Sequence, residues 1–363
     1  MTVIQKKTIA GVLIVIILVL DFSIANVFKW LTGYPWKSYG QQRVEKLYRV
    51  SSDVYHHDLV RNKVVNDVPW GHLRYSVRTN SLGFKDSSVR DVPLTSERHR
   101  IIFIGDSFTE GIGVEYKDSF VGLIASALSM KEIEVLNAGV VGYSPIIYWR
   151  KIKYLLIERG LEFDELVVFL DISDPTNEVV SYQLNEKGNV VERLPFSQEE
   201  KNFKTFLRDN TILLYIISNG IYDMVFPERA KYTTNLEISR WTVDKELYEK
   251  YGREGLELMK LYMDKLLNLL KEHDIVLTVA VYPWPDQIIN NDLDSIQVLF
   301  WKDWCKKRNV RFLDYFPYFL SEGGLKDRKR TLDKYFIKGD WHWNREGHKL
   351  IADRFLDFYE IRK

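Results

Sequence analysis

Ile101-Ile102-Phe103-Ile104-Gly105-Asp106-Ser107-Phe108-Thr109-Glu110-Gly111 decides the fold of this chain. A short β-rich apolar run is broken by Gly-Asp-Ser, and a helix is predicted soon after, over 120–128. That order places Ser107 at the carboxyl end of a strand, in the crevice where open α/β sheets bind their ligands. A hydroxyl held there can serve as a nucleophile. Four further β-rich runs follow, near 134–137, 166–170, 276–282 and 311–314, with helical patterns between them. Strands alternating with helices predict a parallel sheet.

A serine needs a base, and the far end of the chain carries Asp340-Trp341-His342-Trp343-Asn344-Arg345-Glu346-Gly347-His348. An imidazole can take the serine proton once a third group fixes its tautomer and stabilises its charged form. Ser107, His342 and Asp340 fit these roles as nucleophile, base and orienting acid. Each alone also suits an ordinary structural role: a serine in a strand-to-helix turn, a loop-capping carboxylate, a buried hydrogen-bonding histidine. His348 falls within a helical stripe of Leu350, Ile351, Phe355 and Phe358, which predicts packing rather than chemistry. Ser144, just before Pro145, predicts a helix start.

Gly105-Asp106-Ser107, Asn137-Ala138-Gly139-Val140-Val141-Gly142-Tyr143-Ser144-Pro145 and the Asp-x-His-Trp-Asn-x-x-Gly-His stretch together resemble the SGNH/GDSL hydrolase family, over roughly residues 100–358. The resemblance implies a flavodoxin-like, doubly wound parallel sheet of five strands and a serine esterase working through an acyl-enzyme. It also implies that the backbone amides of Ser107 and Gly142 receive the oxyanion. Where family members often carry Gly-x-Asn-Asp, this chain has Asp171-Ile172-Ser173-Asp174. Ser173 therefore stands where an asparagine amide is expected, and either its hydroxyl or Asn177 is left to complete the oxyanion site. The implied activity is hydrolysis of acyl esters, acetyl above all, on carbohydrates. Two alternatives stay open: a polysaccharide O-acetyltransferase using the same acyl-enzyme, and a catalytically silent carbohydrate-binding or assembly protein. Trp341 and Trp343 flank the proposed base and Trp284 follows the fourth strand, so all three are candidates for stacking on sugar rings.

Lys6-Lys7 precede an unbroken apolar run over 9–20, which extends to Phe28 if Asp21, Ser23 and Asn26 are tolerated. This is about the ~20 residues that a bilayer span requires. The expected domains are a cytoplasmic tail (1–7), an uncleaved transmembrane signal anchor (8–28), an N-terminal apron (29–99) and the hydrolase-like domain (100–363). The last carries a helical insertion at about 175–248, expected to fold as a cap. Within it, residues 203–226 carry an apolar stripe of Leu213, Ile216, Ile217 and Ile221, which could pack on the sheet edge, cover the crevice or meet the membrane, ordinary packing being the favoured reading. Lys6 and Lys7 favour a cytoplasmic amino terminus, whereas Lys29, Lys37, Arg43 and Lys46 lie on the far side. Long domains translocate largely regardless of such charges, so the bulk of the chain is expected outside the cytoplasm as a single-pass protein.

A net charge of +1 over 363 residues carries no nucleic-acid signature, and the lone Cys305 excludes an internal disulfide. No cofactor or metal is expected. The pair His56-His57 invites a metal reading, but neighbours on an extended segment point apart and no second ligand cluster with zinc spacing accompanies them. The expected partners are an acylated small-molecule or polysaccharide substrate and the membrane.

Overall fold

A computed structural model describes residues 2–32, 36, 39–193, 203–225, 236–320 and 324–361. The chain divides into two compact units. One holds residues 1–46 with 196–230, the other 47–195 with 231–363.

The larger unit opens with two antiparallel pairs, β1 (Arg49–Ser52) with β2 (His56–Leu59) and β3 (Val64–Trp70) with β4 (Leu73–Arg78). Its centre is the sheet of β5 (Arg100–Ile104), β6 (Glu134–Asn137), β7 (Glu165–Leu170), β10 (Val276–Val281) and β11 (Arg311–Asp314), the hairpin β8 (Tyr182–Leu184) and β9 (Val190–Glu192) lying outside it. Every sheet pairing is parallel and the order is β11-β10-β7-β5-β6. Counted among themselves, the sheet strands run 2-1-3-4-5, the flavodoxin-like arrangement whose direction reverses between β5 and β7. All residues of β5 and β7 are buried, as expected of strands covered on both faces. The five strands lie within a residue of their expected bounds at each end.

The helices follow from their sequences. Ser119 caps Phe120–Ser129 by accepting from the Gly122 amide, and Asn344 caps Arg345–Glu360 by accepting from Gly347. Helix Arg253–Lys271 buries Leu256, Met259, Met263, Leu266 and Leu270 on one stripe. Ser144 stands at the N-cap of Pro145–Lys153, yet its hydroxyl donates to Glu178 instead of capping.

Two expected boundaries change. Residues 47–99 belong to the same compact unit as the sheet. Asn80 Oδ1 accepts from the Leu82 and Phe84 amides, Gly83 adopts φ +83°, and a Cβ there would stand 2.7 Å from Leu59 O. This turn delivers Lys85 to a bridge with Asn137 at the end of β6. The apron therefore starts at 47, and residues 29–46 fall with the N-terminal helix. The insertion at 175–248 is not one helical cap either. It begins with helix Asp174–Val180 and the hairpin β8–β9, which joins the apron through a Tyr55–Val190 bridge. Its 196–230 portion belongs to the smaller unit.

In the smaller unit the N-terminal helix runs over Val3–Thr32, and the most apolar 18-residue stretch of its Gln5–Thr32 portion has a mean hydropathy of 2.6. From Val12 to Leu20 its apolar side chains face outward, while Asp21 and Ala25, one turn apart, are buried. Residues 203–226 form helices Phe203–Asn210 and Leu213–Val225, with 226 outside the described residues.

Candidate active site

The turn after β5 is tight for a chemical reason. Asp106 caps the short helix Ser107–Glu110 by accepting from the Phe108 amide at 3.0 Å, and Asn137 Nδ2 donates to Thr109 O at 2.8 Å. Gly139 permits the close approach, since a Cβ there would meet Thr109 Cβ and Cγ2 at 2.7 Å. Ser107 is thereby presented at the carboxyl end of the sheet, 4% exposed.

The structure brings Ser107, His342 and Asp340 together. Ser107 Oγ lies 2.8 Å from His342 Nε2, and His342 Nδ1 lies 2.6 Å from Asp340 Oδ1. Asp340 also accepts from the His342 amide at 2.9 Å, so the two-residue spacing closes a local ring on the imidazole. Its second oxygen accepts from Trp70 Nε1 at 2.8 Å. Burial pushes the Asp340 carboxyl up. The His342 charge and its two hydrogen bonds, with the Trp70 N–H, outweigh that and hold it below its ordinary range. An ionised Asp340 makes Nδ1 the donor and leaves the Nε2 lone pair for the serine proton.

On the other side of the serine, Asp106 Oδ2 lies 3.1 Å from Ser107 Oγ. Burial first, and then the nearby Asp171 carboxylate, push the Asp106 carboxyl well above its ordinary value. Burial raises Asp171 too, yet Asp171 accepts four hydrogen bonds: from the Ser173 amide at 2.7 Å, the Ser173 hydroxyl at 2.5 Å, Tyr282 Oη at 2.6 Å and Trp284 Nε1 at 2.8 Å. These donors make Asp171 the charged member of the pair and Asp106 the protonated one. The Ser107 hydroxyl has a single proton, directed to His342. The Asp106 contact is then satisfied with Asp106 donating to Oγ.

Gly142 adopts φ +78° in a loop fastened on several sides. The Val141 amide donates to Glu110 at 2.8 Å, and Val141 O accepts from His57 Nε2 at 2.8 Å. Gly142 O accepts from Tyr182 Oη at 2.8 Å, and Tyr143 Oη donates to His57 O at 2.6 Å. Among the described residues, the Ser107 and Gly142 amides donate to no protein acceptor. Ser173 departs from its expected role: its hydroxyl proton is directed to Asp171, so it locks its own loop. Asn177 lies in helix Asp174–Val180, half-buried.

The tryptophans separate. Trp343 is fully enclosed, against Phe108, Phe120, Tyr282 and Phe319, and offers no surface to a sugar. Trp284 is 3% exposed and donates to Asp171, which makes it part of the site's floor. Trp341 is partly exposed and stacks on Trp284 with centroids 5.4 Å apart and planes at 8°. His56 and His57 do not point apart, because His56 adopts φ +78°, and their Nδ1 atoms meet at 2.7 Å. His57 Nε2 faces a carbonyl and must donate, so His57 Nδ1 accepts from His56. Burial pushes the His57 imidazole down to about 4.

Sequence reasoning missed Trp70, Tyr282 and the paired carboxylates Asp106 and Asp171. Only the placement of Asp171 where a glycine is usual signalled the last.

No family model matches the chain, and no curated protein matches it. Solved structures similar to it include an acetyl xylan esterase, at 14% identity over 71% of this chain and 98% of that one, with a TM-score of 0.42. A second is a GDSL-like lipase from Bacteroides thetaiotaomicron, at 11% identity over 75% and 93% with a TM-score of 0.40. A third is a catalytic mutant of an acetylxylan esterase from Geobacillus stearothermophilus, at 13% identity over 72% and 94% with a TM-score of 0.39.

Proposed function

We propose that this chain is a serine esterase of SGNH type acting on acyl esters, with acetylated carbohydrate as the substrate class, anchored in a membrane by its N-terminal helix with the larger unit outside the cytoplasm. The observation that carries the chemistry is the relay from Ser107 Oγ through His342 to Asp340, with links of 2.8 and 2.6 Å. In the first half-reaction Ser107 Oγ attacks the acyl carbon as His342 Nε2 takes its proton. The Ser107 and Gly142 amides donate to the oxyanion, and collapse expels the alcohol with the proton from His342. Water, deprotonated by His342, then releases the acid. The carbohydrate preference rests on Trp341, the partly exposed face beside His342, and the anchor rests on the length and apolarity of the N-terminal helix.

The test uses full-length protein in detergent. Wild type is expected to hydrolyse a chromogenic acetate ester and to be labelled by a fluorophosphonate, whereas Ser107→Ala loses both with an unchanged circular dichroism spectrum. Residual activity in Ser107→Ala within about tenfold of wild type would remove Ser107 from the mechanism. Incubation with an acetylated oligosaccharide and a hydroxyl acceptor separates released acetate from transferred acetate, and predominant transfer would replace esterase by acetyltransferase.

A further inference from the structure

The N-terminal helix carries an acidic residue in its apolar length, and that residue has been given a specific partner. Asp21 Oδ1 accepts from the Ile212 and Leu213 amides at 2.9 and 2.8 Å, and Oδ2 accepts from the Leu214 amide at 3.0 Å. A helix start leaves its first amides without intrahelical acceptors, so one carboxylate satisfies the head of helix Leu213–Val225. Around this joint Phe22 and Phe206 stack with centroids 6.3 Å apart, and Trp36 Nε1 donates to Thr211 O at 2.8 Å.

From this head a 13-residue helix runs over Leu213–Val225. Leu213, Ile216, Ile217 and Ile221 are each about half exposed, and Met224 is 76% exposed. The N-terminal helix presents the same kind of surface from Ile9 to Val27. If the span starts at Ile9, a rise of 1.5 Å per residue puts Asp21 about 18 Å into a hydrocarbon layer of ~30 Å. Within such a layer an uncapped helix start and an unpaired carboxylate are both strongly disfavoured, so each group removes the penalty of the other. Helix Leu213–Val225 is about 20 Å long, too short to cross the layer.

We infer that helix Leu213–Val225 is a second membrane-embedded element, a non-spanning one, seated on Asp21 of the anchor and contacting lipid acyl chains through Ile216, Ile217, Ile221 and Met224. This rests on the reading of the N-terminal helix as a membrane span. The anchor is then a bonded assembly of two segments 191 residues apart in sequence.

The test uses full-length protein in phosphatidylcholine vesicles, carrying one fluorophore-labelled cysteine at a time, with spin-labelled acyl chains as quencher. Cys305 is buried and remains in place. Ile221→Cys is expected to be quenched to within about twofold of Ile16→Cys, and several-fold more than Met130→Cys on the larger unit. Met224→Cys provides the same reading should Ile221→Cys fail to fold. Asp21→Ala is expected to lower quenching at position 221 or 224 several-fold while position 16 is unchanged, and unchanged quenching at both would overturn the role of Asp21. Strong quenching at 16 with none at 221 and 224 would overturn the inference and leave the span standing. Absence of quenching at 16 would bring down the span itself, and the inference with it.

Discussion

Two aspartates flank the Ser107 hydroxyl, and the protein treats them oppositely. Asp340, beyond the imidazole, is surrounded by donors: the His342 ring, the His342 amide and the Trp70 indole. Asp106, beneath the hydroxyl, shares its surroundings with Asp171, and Asp174 is buried close by. Donors hold Asp340 ionised, whereas burial beside another carboxylate keeps the proton on Asp106. The residue type is the same, and what differs is the charge beside each: an imidazole next to Asp340, another buried carboxyl next to Asp106. In the proposed mechanism a charged Asp340 stabilises the imidazolium that forms during attack. A neutral Asp106 adds no negative charge next to an oxygen that must itself become nucleophilic.

The largest test of this contrast is Asp340→Asn, which removes the charge and keeps the shape. It is expected to lower kcat by about 10²- to 10⁴-fold with the fold preserved, measured on a chromogenic acetate ester. A loss of less than threefold would show that the charge is not used. Trp70→Phe removes one donor to Asp340 and nothing charged. A loss of about tenfold in kcat with KM within about twofold is expected, and a change confined to KM would make Trp70 a substrate contact instead.

Asp106→Asn should do far less, because an amide can still donate to Oγ while its oxygen caps Phe108. Activity within about threefold of wild type is expected; a loss as large as that of Asp340→Asn would mean that Asp106 acts as a carboxylate. The sign of its effect on stability is also set. A carboxyl raised in the folded state binds more protons than in the unfolded chain, so wild type loses stability as pH rises above about 4. The melting temperature of Asp106→Asn minus that of wild type should therefore grow from pH 4 toward neutrality.

His348 supplies the opposite slope and the smallest effect near neutral pH. Its Nδ1 accepts from the Phe120 amide at 3.2 Å, and burial pushes its imidazole down to about 3. The unfolded chain takes up that proton near pH 6.5, so stability is complete above this value and falls as pH drops from there toward 3. His348→Gln keeps an acceptor and removes the titration. Its denaturation midpoint should vary less between pH 6.5 and 4 than that of wild type, and equal slopes would assign the loss to other groups.

The sheet was legible because its strands are continuous apolar runs bounded by breakers, a pattern with few alternatives in a βαβ chain. Ser107, His342 and Asp340 were legible for a related reason: each sits in a short local motif whose geometry hardly depends on the rest of the fold. Trp70 was not, since its bond to Asp340 joins positions 270 residues apart and an indole in a polar hairpin carries no periodic signal. Trp343 misled because flanking a base in sequence says nothing about which way a turn sends its side chain. Ser173 misled similarly, because a hydroxyl two residues after a buried carboxylate turns back to it before it can reach a substrate. The stripe over 213–221 suits a packing face, a cover for the crevice or a membrane contact equally well as a pattern, and the bonds from Asp21 show which helix its unit is built around.

The proposed mechanism also constrains when this chain could become active during its synthesis. The Ser107–His342 contact closes a separation of 235 residues and the Trp70–Asp340 bond one of 270, so both ends of the chain must be present together. Every strand of the parallel sheet can be laid down from β5 to β11 before His342 leaves the ribosome. Contacts of such long range form late, after the loop entropy between them has been overcome. A nascent chain can therefore carry a nearly complete sheet and a serine without its imidazole, and the proposed nucleophile is completed only with the last turn of the fold.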